Sequence, residues 1–331
     1  MKIEDLIKDK ILILDGAMGT MIQQHKLKEE DYRGKEFKNW HKDIKGNNDL
    51  LSITQPEIIK DIHLEYFEAG ADIVETNTFN ANRISMADYD MQDWVNELNI
   101  SSVKAAKEAR DEYYDKHTFR PLYIAGSIGP TSKTTSISPD VNDPAYREVD
   151  FDFLAQIYKE QAIALIDAGS DLLLVETIFD TLNAKAAFFG IEEAFDSTGK
   201  SLPLMASGTI TDAAGRTLSG QTTEAFLVSL SHLPLLSIGL NCALGADQLY
   251  QYLEILAKYS PFYVSAYPNA GLPNPLGGYD ETPEMMAEKV KLYLDSELVN
   301  ILGGCCGTTP SHIKLFAEMA SNYTPRAIKV S

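Results

Sequence analysis

Eight short apolar runs, each followed by a stretch with the spacing of an amphipathic helix, constrain this chain more than anything else in it. The runs occupy residues 11–15, 71–76, 122–127, 171–176, 202–207, 236–241, 261–266 and 298–302, and the helical patterns 56–69, 95–114, 153–168, 181–195, 222–233, 246–258, 283–295 and 310–320. Strands that alternate with helices of this length build βαβ units and a parallel sheet. Eight such units in 331 residues predict a (β/α)8 TIM barrel, one domain over residues 1–331 with its core from about 11 to 320. An open doubly wound sheet fits less well, because Asp15-Gly16-Ala17-Met18-Gly19-Thr20 follows the first run without the G-x-G-x-x-G spacing of a dinucleotide-binding turn. Two units also repeat each other: Glu68-Ala69-Gly70 and Asp167-Ala168-Gly169 each precede a run that ends in Glu-Thr, and both glycines suit a helix C-terminus.

Three connections are long, over 21–55, 128–152 and 267–282, and each follows a strand and precedes a helix. In a barrel this puts all three on the face where active sites lie, as rim and lid. The scattered charges of 21–55 also suit a plain solvated loop.

The chain has three cysteines, Cys242 in Gly239-Leu240-Asn241-Cys242 and, 63 positions after it, Cys305 followed by Cys306 in Gly303-Gly304-Cys305-Cys306-Gly307-Thr308. Both segments end an apolar run. Neighbours on a regular strand point to opposite faces, so Cys305 and Cys306 share a target only where the backbone departs from strand geometry, which the surrounding glycines permit. In a barrel the ends of the sixth and eighth strands meet at one rim. Three thiols there match a metal with three protein ligands and one open position, the catalytic rather than the structural arrangement for zinc. Unreactive core thiols are the competing reading, and a vicinal disulfide is disfavoured by ring strain. Three thiolates on Zn2+ leave it electron-rich, better suited to holding a substrate thiol as a nucleophile than to activating water.

Acidic groups crowd the same rim. Asp15, Glu75 and Glu176 stand at strand ends with Asn77, Ser127, Ser207, Asn241 and Tyr267. Asp15 and Glu176 are candidates for an α-ammonium group, and the turn with Gly16 and Gly19 offers backbone N–H groups to an α-carboxylate. Glu75 is equally suited to pairing within the barrel. The six histidines are scattered without ligand spacing, and no strand ends in a lysine for Schiff-base chemistry.

Net charge bounds the partners. With 29 basic against 48 acidic residues, −19 overall, the chain lacks a nucleic-acid footprint. No run approaches the length of a membrane span, and the first ten residues lack the apolar core of a signal peptide and read as a short amphipathic helix. An odd, low cysteine count without framework spacing points to a reducing cytoplasm.

Five segments in order carry a resemblance: Leu14-Asp15-Gly16-Ala17-Met18-Gly19-Thr20, Gly46-Asn47-Asn48-Asp49-Leu50-Leu51, Val74-Glu75-Thr76-Asn77-Thr78-Phe79, Gly239-Leu240-Asn241-Cys242 and Gly303-Gly304-Cys305-Cys306-Gly307-Thr308. Together they resemble the homocysteine-binding domain of cobalamin-dependent methionine synthase, within the homocysteine S-methyltransferase family. Segments 138–144 and 209–212 favour the cobalamin-dependent branch over the betaine-using one. The resemblance implies zinc on Cys242, Cys305 and Cys306 as the catalytic metal site, with homocysteine sulfur as its fourth ligand. It also implies Asp15 and Glu176 on the amino group, the amides near Gly16 and Gly19 on the carboxylate, and Asn241 at the substrate. Methylcobalamin would then come from another domain or protein, with cobalamin- and folate-binding domains or subunits as partners. Because the chain ends at Ser331, an excised module or a naturally split subunit is expected. The alternatives are a self-sufficient methyltransferase using S-methylmethionine or betaine, and a non-catalytic module that binds thiol amino acids.

Overall fold

The structure, a computed structural model, describes residues 1–212, 214–275 and 277–328. Eight parallel strands form one sheet: β1 (Leu12–Ile13), β2 (Ile73–Glu75), β3 (Tyr123–Ile128), β4 (Leu172–Ile178), β5 (Leu204–Gly208), β6 (Leu235–Gly245), β7 (Tyr263–Asn269) and β8 (Ile301–Leu302). They are ordered β1-β8-β7-β6-β5-β4-β3-β2. The ring closes where Leu14 bridges Ile73, flanked by Asp72 N–H to Ile13 O at 2.7 Å and Asp15 N–H to Ile73 O at 3.0 Å. The (β/α)8 barrel expected from the sequence is therefore the fold.

Side-chain alternation divides the core in two. Leu12, Leu14, Ile73, Tyr123, Ala125, Leu172, Leu174, Met205 and Ile301 fill the barrel, while Val74, Ile124, Leu173, Val175, Ile238 and Val264 pack outward against the helices. The helix Ile3–Asp9 contributes Ile3 and Ile7 to the inner cluster, and Tyr123 donates its hydroxyl to Met1 O at 3.0 Å, so the amphipathic N-terminus serves as a plug. On β2 and β4, Glu75 and Glu176 continue the inward alternation of Ile73 and of Leu172 and Leu174.

The outer helices follow the expected spans closely, with ordinary punctuation. Asp150 caps Phe151–Ala168, Asp180 caps Thr181–Thr198, and prolines open Pro56–Glu68, Pro283–Asp295 and Pro310–Ala320. Gly70 and Gly169 both adopt left-handed backbone, at φ +108° and +96°, as helix-ending glycines do. The strands differ more from expectation. β1 and β8 keep only two residues each, whereas β6 runs on to Gly245 and β4 to Ile178, each with a register shift near its end.

The connection over residues 21–55 is not a plain solvated loop. It holds the helices Glu29–Arg33 and Leu51–Thr54, and it buries Tyr32, Phe37, Ile44, Leu50 and Leu51. Phe37 meets Trp40 and Trp94 edge-on, with ring centroids 5.6 and 4.7 Å apart. Its apolar residues join the outer core between barrel and helices, beneath a charged surface.

Candidate active site and metal centre

A cavity of about 750 Å3 opens at the C-terminal mouth, where barrel enzymes place their chemistry. Asp15, Gly16, Gly19, Glu75, Asn77, Ser127, Glu176, Cys242, Tyr267, Cys305 and Cys306 all line it. Ser207 and Asn241 are absent from its lining and are fully buried.

The three thiols converge, every sulfur lying within 4.8 Å of the other two and Cys242 Sγ 3.8 Å from Cys306 Sγ. They could hold a metal ion. All three are free and half-buried. Hydrogen bonds from Cys242 and Cys305 draw the Cys306 thiol down to about 3, while at Cys242 the pull of Cys305 is outweighed by Cys306 and burial, which push it up to about 11. Cys305 is likewise held well above the ordinary thiol range, by its bonds to Cys242 and Cys306. The three thiols share their protons as one coupled group, and a divalent ion would displace those protons. An all-sulfur donor set is soft and fits zinc.

The backbone reaches this arrangement differently from expectation. Cys242 and Ala243 are left-handed at φ +58° and +57°, and this turn rather than a glycine aims the Cys242 thiol. Of the three glycines around Cys305 and Cys306, only Gly307 has positive φ, at +82°. Gly303 and Gly304 serve close approach instead: a Cβ on Gly303 would sit 2.7 Å from Leu14 Cβ, and one on Gly304 2.5 Å from Thr308 Oγ1. Thr308 ties the two ends of the ring together, since its hydroxyl donates to Cys305 O at 2.7 Å and accepts from Ala17 N–H at 3.2 Å.

Among the described residues the carboxyl groups have no counter-ion. Asp15 is buried; its Oδ2 accepts from Glu75 N–H at 3.0 Å, and its Oδ1 has no partner. Glu75 Oε1 and the Tyr267 hydroxyl are also unpartnered. Glu176 accepts a hydrogen bond from the Ser127 hydroxyl. Burial lifts all three acids, bringing Glu176 to about 7 and Asp15 and Glu75 well above the usual carboxylate range, with mutual repulsion adding to both of the latter. Among the described residues lining the cavity there is no Lys, Arg or His. Such a cluster is complementary to an incoming cation.

The turn after β1 presents open N–H groups, because Met18, Gly19 and Thr20 form the first turn of the helix Met18–Gln24. Asn241, expected at the substrate, acts from behind: its Oδ1 accepts from Ser207 Oγ at 2.7 Å and Thr177 N–H at 3.1 Å, and its Nδ2 lies 4.0 Å from Cys305 Sγ. Sequence reasoning missed Tyr279, which lines the cavity, stands beside Cys306 and favours its thiolate. It carries no periodic signal, lying in an irregular loop.

A barrel that gathers three thiols and three unbalanced carboxyls at its catalytic mouth defines an enzyme with a candidate thiolate metal centre. The chain belongs to the homocysteine S-methyltransferase family, whose model matches residues 12–320, and it is accordingly a methyltransferase. Among solved structures it is similar to the homocysteine methyltransferase MmuM of Escherichia coli in its oxidized form, with 22% identity over 95% of this chain and 97% of that one and a TM-score of 0.73. The metallated form of the same protein aligns with 23% identity over the same shares and a TM-score of 0.70. Among the described residues, no helix is long and apolar enough to cross a membrane.

Proposed function

We propose that this chain activates homocysteine for methyl transfer from methylcobalamin, carried by another domain or protein, to give methionine. The barrel, with its core from about residue 11 to 320, acts in this reading as one homocysteine-binding unit. The observation that carries the reading is the shared cavity: three thiols within 4.8 Å of one another open onto the same space as the unpartnered oxygens of Asp15 and Glu75. Homocysteine needs both features, a place for its thiol and a place for its ammonium group.

Cys242, Cys305 and Cys306 would hold zinc, which when bound lowers the pKa of a substrate thiol so that it is ionised near neutral pH. Asp15 and Glu176 take the α-ammonium group, with Glu75 beside them adding negative potential. The backbone amides at Gly16 and Gly19 take the α-carboxylate. This two-point grip fixes the sulfur at the thiol cluster, and such positioning is a large part of any displacement reaction. Sulfur would gain the bond to the methyl carbon, and the methyl donor would keep the electron pair of the bond that breaks. Cobalamin- and folate-binding domains or subunits are the proposed partners, and three metal-holding thiols suit the reducing cytoplasm.

Zinc-loaded protein incubated with homocysteine and, separately, methylcobalamin, S-methylmethionine and betaine tests the proposal through methionine formation. Methionine above the enzyme-free rate from methylcobalamin, lost in Cys242→Ser, is the expected result. Turnover confined to S-methylmethionine or betaine would replace the donor, and binding of homocysteine without turnover of any donor would reduce the chain to a binding module.

A further inference from the structure

Neither the thiols nor the carboxyls account for one whole wall of the cavity. β2 stands across the eight-stranded ring from β6, which carries Cys242, and the sector between β1 and β2 has a chemistry of its own. Gln23, Gln24, Asn48, Asn77 and Asn80 line it together with Asp49. The inner part is rigidly tied. Asn77 Nδ2 donates to Asn48 O at 2.8 Å and to Ser52 Oγ at 3.1 Å, Tyr32 donates its hydroxyl to Asn48 Oδ1 at 2.8 Å, and Asn80 N–H donates to Asp49 Oδ1 at 2.9 Å. The outer part is exposed, with Gln23, Gln24 and Asn80 at the lip, Gln24 Nε2 donating to Met21 Sδ at 3.5 Å and Asn80 anchored through its backbone on Asp49.

Five carboxamides on one wall of a cavity lined by no described cation are a specific chemistry. An anionic donor would meet only acids, thiols and amides. A ligand of small size with its charge at the reacting centre would leave the lip unused. A carboxamide both donates and accepts, so its best neutral complement is another carboxamide. The edge of a corrin ring bears acetamide and propionamide arms, and a corrinoid presenting its methyl group face-on to the thiol cluster would bring those arms to the rim rather than to the floor.

The geometry points to this wall as the subsite for the carboxamide arms of the methyl donor, with Gln23 and Asn80 as its outer contacts and Asn48, Asn77 and Asp49 holding the wall in shape. The assignment rests on the corrinoid reading of the donor. It adds the surface that recognises that donor and the reason an amide-free donor would be bound less well.

The experiment uses zinc-loaded protein saturated with homocysteine and measures binding of cyanocobalamin, which has the same rim and no methyl group to transfer, by equilibrium dialysis. Gln23→Met and Asn80→Leu change exposed side chains and remove the amide. Each should weaken cyanocobalamin roughly two- to tenfold, the yield of one net hydrogen bond, and the double variant by about the product of the two. Zinc stoichiometry and homocysteine affinity should stay unchanged. Dicyanocobinamide and the methyl ester of dicyanocobyrinate form the second arm, because ester arms accept but cannot donate: wild type should prefer the amide ligand, and the double variant should lose that preference. Unchanged corrinoid affinity in both variants, or an equal loss for the ester ligand, overturns the assignment while leaving the donor reading intact. If wild type binds no corrinoid and forms no methionine from methylcobalamin, both fall together.

Discussion

Asn241 and Thr177 are joined by two hydrogen bonds, Oδ1 accepting from the Thr177 N–H at 3.1 Å and Nδ2 donating to Thr177 Oγ1 at 2.8 Å. The pair couples the two halves of the site, because Thr177 follows Glu176 and Asn241 precedes Cys242. Both strands leave extended geometry there, with Thr177 at φ +54°, Cys242 at +58° and Ala243 at +57°. Left-handed backbone costs a residue with a Cβ about 1–2 kcal/mol, and it persists only where the surroundings over-determine it. The Asn241 amide is part of what does so.

Removing that amide should therefore be felt at the metal. Asn241→Ala deletes the bonds to Thr177 and Ser207 and the donor facing Cys305. Partners that orient metal ligands typically account for about 10–100-fold in affinity, and a loss of that order is expected in competition against a chelator. An unchanged zinc affinity would leave Asn241 as a packing residue.

The strain itself can be measured. Ala243→Gly relieves one left-handed residue without touching a thiol, so the metal-free protein should gain stability by about 1 kcal/mol in chemical denaturation, somewhat offset by the greater freedom of glycine in the unfolded chain. A loss of stability would mean that the turn is unstrained and that Ala243 contributes mainly through its methyl group.

This strain is also where sequence reading stopped. Periodicity revealed the barrel, because alternating apolar residues must choose an inner or an outer face, and residues such as Leu172, Leu173 and Leu174 divide between the two as period two requires. Strand ends revealed the acids and thiols, because the fold alone brings them to one mouth. Torsions were not legible: Glu75-Thr76 and Glu176-Thr177 look alike, yet only Thr177 is left-handed, and it lies within the register shift between Val175 and Ile178. The glycines beside Cys305 were legible as exceptional but not in kind, since Gly303 and Gly304 answer to Leu14 and Thr308, which are distant in sequence. The part of the outer core that 21–55 supplies was hidden by the charges around it, although Tyr32, Phe37 and Ile44 were in plain view.

Glu176 sets a pH dependence whose sign is fixed by its burial. Desolvation lifts its carboxyl to about 7 against the pull of the Ser127 hydroxyl, with the charge on Cys306 adding to the lift. A carboxyl raised in the folded state stabilises the protein fully below the ordinary carboxylate range and loses that contribution as pH rises through the folded value. Ligand-free protein should therefore weaken between about pH 5 and pH 8, by up to about 3 kcal/mol from this group. Glu176→Gln should shrink the difference without abolishing it, because Asp15 and Glu75 are raised as well. In zinc-loaded protein, homocysteine affinity should rise with pH through 7 in wild type, where an ionised Glu176 meets the ammonium group, and should be weaker and flatter in the variant. Denaturation and binding series at matched pH would refute this if the two proteins ran parallel.

The turn after β1 separates structural from substrate-binding glycine. Gly19 lies in the helix Met18–Gln24, and a Cβ there would find nothing nearer than Asn48 Nδ2 at 3.9 Å. Alanine at a helical position stabilises by up to about 1 kcal/mol relative to glycine, so Gly19→Ala should hold or raise the melting temperature. If the backbone N–H at Gly19 receives the substrate carboxylate, the added methyl group should crowd that carboxylate and raise the KM for homocysteine even as the fold is strengthened. Gly16 behaves differently, because its Cβ would sit 2.7 Å from Thr308 Oγ1 and 2.9 Å from the Tyr66 hydroxyl. Those contacts hold the link between Ala17 and Thr308, so Gly16→Ala should lower stability and homocysteine affinity together. The two variants form a pair of opposite sign in stability and the same sign in KM. A Gly19→Ala protein with an unchanged KM would remove that residue from the substrate site and leave the carboxylate to the rest of the turn.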